Sequence, residues 1–194
     1  MFRLREPSHV EIQRFLTAAA TRPLSYSDVG IASRSDPAGY QLDKAEVLLG
    51  TGEAAFERAA MAVLSWKMLD LGWMKATPSA ELVAPSVDVA VVVSHLGFWS
   101  LNGCRVVYML SSEGGTERCG FAYGTLSDHA EEGEELFEVS LDRSTGEVFY
   151  RLRAASRPSA LLARLGHPYT RLLQAKFRTE SCRRMKQVMN DAST

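Results

Sequence analysis

The spacing of apolar residues predicts helices in the first part of the chain. From Ser8, where Glu11 completes a capping box, apolar residues recur three or four positions apart until the chain reaches Pro23. The same spacing returns between residue 54 and about residue 72. We predict a helix in each segment, with Leu24–Val29 as a short strand between them and Gly30–Gly52 mostly as loop.

After Pro78 the pattern changes to two-residue alternation and short β-branched runs, which are typical of strands. The predicted strands are Glu81–Ala84, Val87–Ser94, Trp99–Leu110, Thr116–Thr125, Glu134–Leu141 and Glu147–Ala154. Short runs of turn residues separate them. Such connections favour antiparallel pairing, because a parallel crossover needs about a dozen residues or more.

A long terminal helix completes the predicted order. Ser156 and Pro158 mark its start, since proline is well tolerated in the first helical turn. Its apolar stripe consists of Leu161, Leu162, Leu165, Tyr169, Leu172 and Leu173. Pro168 is expected to kink or split the helix, because its ring clashes with the preceding turn.

An antiparallel sheet with one apolar face must cover that face, and the terminal helix is the largest cover in the sequence. We therefore predict one α+β domain over residues 1–194. It consists of a curved antiparallel sheet of about six to seven strands around a long C-terminal helix, with N-terminal helices. This order resembles the helix-grip fold of START-like and Bet v 1-like proteins, in which sheet and helix enclose a cavity. The analogy concerns fold alone.

Composition excludes several classes of protein. The formal net charge is -1, from 22 basic and 23 acidic residues, so no overall field attracts nucleic acid. The longest apolar run covers residues 87–93, too short for a bilayer span of about 20 residues, and no secretory signal precedes it. We expect a cytoplasmic protein with no membrane span.

The sequence also lacks the signatures of a metal site, a disulfide framework or a bound cofactor. Cys104, Cys119 and Cys182 are an odd number of cysteines at wide spacing, which favours reduced thiols. There is no nucleophile elbow, phosphate loop or dinucleotide fingerprint. We predict neither a metal nor a cofactor.

From about residue 24 to residue 177 the chain resembles the family of the domain of unknown function 1990 (DUF1990), found in bacteria and plants. The residues that carry the resemblance are Gly39-Tyr40, Leu49-Gly50-Thr51-Gly52, Phe56, Arg58-Ala59, Trp66, Asn102-Gly103-Cys104-Arg105-Val106, Gly120-Phe121-Ala122-Tyr123-Gly124-Thr125-Leu126, His129, Gly133-Glu134-Glu135, Ser156-Arg157-Pro158, Pro168, Arg171 and Gln174. Residues 1–22 are then an N-terminal helical extension. The resemblance implies no activity.

The strongest candidate site lies on the hairpin that follows Gly120. Two-residue alternation puts Tyr123 and Thr125 on one face of a strand and Glu135 on a face of the next strand, where Tyr123 and Glu135 can meet. Burial raises the pKa of a carboxyl group, so this pair, with His129 at the mouth, suits proton transfer. The structural alternative is that the pair satisfies itself and that His129 belongs to a solvated turn.

Two further candidates involve the terminal helix and an earlier strand. Arg164, Arg171 and Arg178 repeat every seven residues near His167 and Gln174, and Arg157 is expected at the helix N-terminus; together they form a candidate anion site. A solvated helix face is the alternative. Asn102 and Cys104 share a strand face with Val106 and Tyr108, where Cys104 is either a nucleophile or a buried structural thiol.

We expect a binding protein whose cavity accepts a small hydrophobic or amphipathic molecule. One alternative is an enzyme that uses the same cavity for acid–base chemistry, so whether the chain is an enzyme stays open. Another is a protein-interaction module that docks a partner on the arginines or on the long loop. The sequence specifies no oligomeric state.

Overall fold

The computed structural model describes residues 2–112, 116–127, 129, 131–158 and 167–191. The strands are β1 Phe2–Arg3, β2 Gln41–Thr51, β3 Met74–Pro78, β4 Asp88–His95, β5 Phe98–Met109, β6 Thr116–Thr125, β7 Glu131–Asp142 and β8 Glu147–Pro158. The helices are α1 His9–Ala19, α2 Glu53–Leu64 and α3 His167–Asp191. Short 3₁₀ turns lie at Ile31–Ser33 and Lys67–Leu69.

Seven strands form one curved sheet in the order β2-β8-β7-β6-β5-β4-β3, and the short β1 pairs with β5. Every pairing is antiparallel. From β3 to β8 the chain follows a meander in which each strand pairs with the next one in sequence. The predicted antiparallel sheet around a C-terminal helix, with N-terminal helices, is confirmed.

Helices α2 and α3 cover one face of the sheet, here called the inner face. From α2, Phe56, Ala59 and Val63 are buried, and from α3, Phe177, Met185 and Met189 are buried in the same apolar core. The positions in α2 recur three or four residues apart, and those in α3 recur every four residues once the buried Ser181 is included, so each helix presents one stripe to the sheet. The main core therefore lies between the sheet and the two helices.

The N-terminal segment covers the opposite face, here called the outer face. The predicted capping box starts α1, and Leu16 of this helix packs on Ala90, Val92 and Leu101 of β4 and β5. Arg105 fixes the end of α1, because its guanidinium donates to the carbonyl oxygens of residues 19 and 22 at 2.9 and 3.0 Å. The same group pairs with the Asp88 carboxylate at 2.7 Å, which anchors the helix to the sheet.

Three predictions about strands were wrong, and two of them concern the edges of the sheet, where strands bury few side chains. Gln41–Thr51, predicted as loop, is the edge strand β2, in which no residue is fully buried. Leu24–Val29 makes only an isolated bridge from Leu24 to Leu126. Glu81–Ala84 is not a strand, and the other edge of the sheet is Met74–Pro78 instead. Without a buried face, an edge strand shows little alternation of hydrophobicity.

The predicted start of the terminal helix was also wrong. Residues 156–158 continue β8 and pair with residues 131–133 of β7, so Pro158 ends a strand, a position that proline tolerates. The predicted stripe residues Leu161, Leu162 and Leu165 lie outside the described residues. Pro168 is part of α3, in the first turn that the structure describes.

Glu134 of β7 fixes the long loop on the outer face. Its side chain is 2% exposed, yet its carboxylate accepts hydrogen bonds from four donors. These donors are the Tyr26 hydroxyl at 2.8 Å, the Gly30 amide at 2.9 Å, the Ala32 amide at 3.2 Å and the Tyr108 hydroxyl at 2.9 Å. A buried carboxylate is tolerated when donors replace its water, so Glu134 has a structural role.

Replacing Glu134 should therefore destabilise the fold. Glu134→Ala leaves four donors without their acceptor, and we expect a loss of about 3 kcal/mol in the free energy of unfolding. Urea unfolding followed by circular dichroism measures it. Glu57→Ala, on the exposed side of α2, is the control and should change the free energy by less than about 0.5 kcal/mol. Equal stability of the two variants would contradict the assignment.

Candidate functional site

The inner face encloses a cavity of about 510 Å³. It lies at one end of the sheet, between the last residues of β4, β6 and β8 and the first residues of β5 and β7, and the segment from Tyr169 to Phe177 of α3 covers it. Trp66, α2 and the later part of α3 fill the remaining half of the inner face. The two helices thus fill only part of the space beneath the sheet.

Polarity changes across the cavity from one edge of the sheet to the other. Trp73, Met74, Val91 and Val93, at the β3–β4 side, give mainly apolar walls. The β5–β8 side contributes the hydrogen-bonding side chains Ser100, Asn102, Tyr123, Thr125, Glu131, Glu135 and Ser156. Across the cavity, the rings of His95 and Tyr169 approach to 5.8 Å between centroids, which joins β4 to α3. The cavity therefore has an apolar side and a polar side.

Tyr123 and Glu135 meet inside the sheet, as their alternation predicted. They are directly opposite in the β6–β7 register, and the Tyr123 hydroxyl donates to Glu135 Oε2 at 2.5 Å. No described residue donates a hydrogen bond to Glu135 Oε1. Burial raises the pKa of Glu135 to about 7, and it also raises the pKa of Tyr123 well above its usual value. A carboxyl group of this kind can take up and release a proton near neutral pH.

Thr125, Asn102 and Cys104 also line the cavity, but the hydrogen bonds of the first two hold the sheet together. The Thr125 hydroxyl accepts from the Gly133 amide at 2.9 Å and lies 2.6 Å from the Ser25 hydroxyl. The Asn102 amide group donates to the Val91 carbonyl at 3.1 Å. Cys104 is 1% exposed, as expected for a structural thiol.

One expected neighbour of Cys104 is on the other face. The spacing put Tyr108 on the face of Asn102 and Cys104, but a register shift between Val106 and Tyr108 turns Tyr108 to the outer face, where it donates to Glu134. A β-bulge adds one residue and so reverses the alternation beyond it. The prediction was wrong because the sequence does not mark the bulge.

His129 lines the polar side of the cavity and is partly buried. Its Nδ1 atom lies 3.0 Å from the amide nitrogen and 2.9 Å from the carbonyl oxygen of Glu131. Burial raises the pKa of Glu131. The imidazole is therefore held near the carboxylates by its own turn, at the edge of the site where the sequence placed it.

Arg171 and Arg178 bind Asp43, which the sequence analysis did not select. Arg171 donates to both carboxylate oxygens of Asp43 at 2.5 and 2.8 Å, and Arg178 lies 3.2 Å from one of them. Because of Arg171, the pKa of Asp43 is lowered. These arginines are partly buried beneath α3, so a solvated face does not describe them. Arg164 and the His167 side chain lie outside the description.

Gln174 connects these arginines to the cavity wall. Its oxygen accepts from Arg171 at 2.6 Å, and its amide group donates to the Ser156 hydroxyl at 3.2 Å. Asp43 escaped prediction because it belongs to β2, which the sequence did not show as a strand. Alternation in β2 puts Asp43 on the inner face together with Val47.

The sequence predicted Arg157 at a helix N-terminus, but this residue lies within β8. Its side chain pairs with Glu132 at 2.5 Å and stacks over the Tyr40 ring at 4.5 Å. With Arg171 it borders a second cavity of about 210 Å³, which shares Glu131, Ser156 and Gln174 with the first. The expected anion site at the helix N-terminus is therefore not formed by Arg157.

Two general properties of the described residues concern metal binding and membrane insertion. They contain no group of three histidine, cysteine, aspartate or glutamate side chains arranged to hold a metal ion. None of the helices described is both long enough and apolar enough to cross a membrane. The polar groups that line the cavity are carboxyl, hydroxyl, imidazole, thiol and amide groups.

Comparisons with known proteins agree on family and fold. The family model DUF1990, a domain of unknown function, matches residues 25–184. A UPF0548 protein of Dictyostelium discoideum is 33% identical, over 95% of this chain and 94% of that protein. A UPF0548 protein of Arabidopsis thaliana is 29% identical, over 90% and 91%. The crystal structure of TTHA0849 from Thermus thermophilus covers 79% of this chain and 100% of that one, with a TM-score of 0.53 and 13% identity, which shows likeness of fold.

Glu135 should make stability depend on pH in a defined direction. With a pKa of about 7 in the folded protein and 4.5 as the usual value, the folded state retains a proton that the unfolded chain has lost between these values. Stability contributed by this group therefore falls as pH rises through that window. Glu135→Gln cannot ionise and should gain about 2 kcal/mol relative to the unaltered protein between about pH 5 and pH 8.

Chemical denaturation at the two pH values measures this difference. Glu117→Gln, at the opposite end of the sheet and paired with Arg143, is the matched control and should show a much smaller pH-dependent gain. A constant difference between Glu135→Gln and the unaltered protein across this range would show that Glu135 titrates as an ordinary carboxyl group.

Proposed function

This chain belongs to the DUF1990 family, and we propose that it binds a small amphipathic molecule in the cavity beneath α3. The observation that carries the proposal is the interior space of about 510 Å³ with apolar walls on its β3–β4 side and hydrogen-bonding groups on its β5–β8 side. Sites for small molecules are concave, mostly apolar and equipped with a few polar groups that fix orientation.

The size and distribution of the lining support this function over a purely structural role. A volume between about 300 and 1,000 Å³ is typical of small-molecule sites, whereas the voids left by core packing are few and small. The apolar side suits a hydrocarbon or aromatic body. The carboxyl group of Glu135 suits a polar end, because one of its oxygens accepts no hydrogen bond from a described residue.

Acid–base catalysis in the same cavity is the second candidate function. The favouring observation is Glu135, whose pKa of about 7 and hydrogen bond from Tyr123 suit a group that exchanges a proton with a bound molecule. Catalysis predicts that a molecule co-purifying with Glu135→Gln differs chemically from the one released by the unaltered protein, in mass or, for an isomerisation, in chromatographic retention. Identical molecules, identified by chromatography and mass spectrometry after extraction, would favour binding alone.

The interaction-module hypothesis has less support. It relied on arginines open to a partner, and both Arg171 and Arg178 are bound to Asp43. It also relied on the long loop, part of which is held to the outer face by Glu134. Those groups would have to leave their present partners before they could dock a protein.

Filling the cavity should abolish binding without unfolding the protein. Val93 lies on the apolar wall, so Val93→Phe places a ring in the space, and we expect at least about a tenfold loss of affinity for N-phenylnaphthylamine, a neutral fluorophore. Fluorescence titration measures the affinity. Val10→Phe adds the same ring on the exposed side of α1 and should bind as the unaltered protein does.

The outcome that opposes the proposal is equally definite. Absence of saturable binding to the unaltered protein, or equal affinity in Val93→Phe and Val10→Phe, would mean that the cavity does not accept the fluorophore. Circular dichroism of each variant verifies that the fold is retained.

A further inference from the structure

The charges that line the cavity are unusual for a site that takes an amphiphile. Among the residues that the structure describes, its ionisable lining side chains include three carboxyl groups and the imidazoles of His95 and His129, with no lysine or arginine. Glu131 and Glu135 lie on the inner face of β7. Glu134 also borders the cavity, but its carboxylate is bound on the outer face by Tyr26 and Tyr108.

Burial raises the pKa of Glu131 and of Glu135, and the nearest arginines offset only part of this effect, because Arg171 lowers the pKa of Glu131 and Arg178 lowers that of Glu135. Arg171 and Arg178 both pair with Asp43, and Arg171 also donates to Gln174. The local group therefore contains three carboxylates, from Asp43, Glu131 and Glu135, and two guanidinium groups. With all five ionised, its net charge is -1, and each guanidinium group forms its ion pair with Asp43.

Glu135 also has hydrogen-bonding capacity that the protein does not use. Tyr123 donates to Oε2, while Oε1 accepts nothing from a described residue. The adjacent residue Glu134, by comparison, accepts hydrogen bonds from four donors. A carboxylate usually has about four acceptor sites, so a donor supplied from the cavity would meet an unfilled position.

We propose that the bound molecule is a cationic amphiphile, with a protonated amine against Glu135 and Glu131 and a hydrocarbon or aromatic body along the β3–β4 wall. This inference rests on the proposed binding function and names the chemical class of its ligand. A hydrogen bond between two ionised groups is about twice as strong as a neutral one, and it gains strength in a site with little water.

An anionic head group fits this arrangement poorly. A fatty-acid carboxylate at the same position would face Glu135 and Glu131 at short range, and like charges repel strongly where water is scarce. A neutral hydroxyl group can donate to Glu135 Oε1 but offers no charge. A cation beside Glu135 would also bring the pKa of this residue back toward its usual range, which relieves part of the cost of its burial.

Three probes that differ only in head group test the proposal: decylamine, decanol and decanoate, each below its micelle concentration. At about pH 8 the amine is a cation and Glu135 is ionised, and isothermal titration calorimetry gives each affinity. We expect decylamine to bind about tenfold or more tightly than decanol, and decanoate to bind most weakly. This ranking is measured on the unaltered protein and needs no variant.

Glu135→Gln then identifies the carboxylate responsible. We expect it to weaken decylamine binding by about 10- to 100-fold while changing decanol binding by less than about threefold, because only the charge-assisted bond is lost. Glu117→Gln removes a carboxylate at the far end of the sheet and should change neither affinity.

The possible results separate this inference from the function on which it rests. If decanol or decanoate binds as tightly as decylamine, or if Glu135→Gln leaves decylamine binding unchanged, the cationic ligand class is overturned and the binding function stands. If no probe binds and N-phenylnaphthylamine does not bind either, both the ligand class and the binding function are overturned. If N-phenylnaphthylamine binds and none of the three does, only the ligand class is overturned.

Discussion

The structure depends on strict two-residue alternation along β7, which directs two adjacent glutamates to opposite sides of one sheet. Glu134 points outward and collects four hydrogen bonds from the N-terminal segment and from β5. Glu135 points inward and receives one, from Tyr123. A shift of the β6–β7 register by one residue would turn Glu134 to the inner face and Glu135 to the outer face. Each carboxylate would then lose its present hydrogen-bond donors. Close backbone contact protects the β6–β7 register, because a Cβ on Gly120 would lie 2.0 Å from the Phe137 carbonyl oxygen.

The same sheet explains why a hollow remains at one end. Helix α2 and the C-terminal half of α3 fill the inner face where β6–β8 present Phe121, Phe137 and Tyr150. At the other end the strands carry aliphatic side chains on β3 and β4 and polar ones on β5 to β8, and α3 is held over them by Asp43 and by the contact of Gln174 with Ser156. Ion pairs and amide hydrogen bonds fix the helix there without the close approach that apolar packing requires. The hollow therefore follows from how the helix is attached.

Sequence reasoning recovered the features that burial makes periodic. The central strands and the meeting of Tyr123 with Glu135 followed from two-residue alternation, and α2 followed from three- and four-residue spacing, because each element has one face in a core. It failed where burial is incomplete: β2 shows little pattern as an edge strand, and Asp43 was missed with it. It also failed at Tyr108, where a bulge reverses the alternation, and at Arg157, because Pro158 ends a strand and does not begin a helix. The sequence near each of these residues does not show which distant residues it contacts in the fold, and those contacts decide its position.

The main argument for function is that Glu134 accepts four hydrogen bonds from the protein whereas Glu135 accepts one. A fold adjusted for stability alone would satisfy Glu135 as it satisfies Glu134, or would replace it with an apolar side chain, because a carboxyl group with a pKa raised to about 7 by burial opposes folding above that pH. No described group beyond Tyr123 donates to it, and the space in front of it is open. Local conflicts of this kind are typical of functional positions, where the compensating contact comes from a bound molecule. The cost carried by Glu135 in the free protein is therefore best explained by a partner in the cavity.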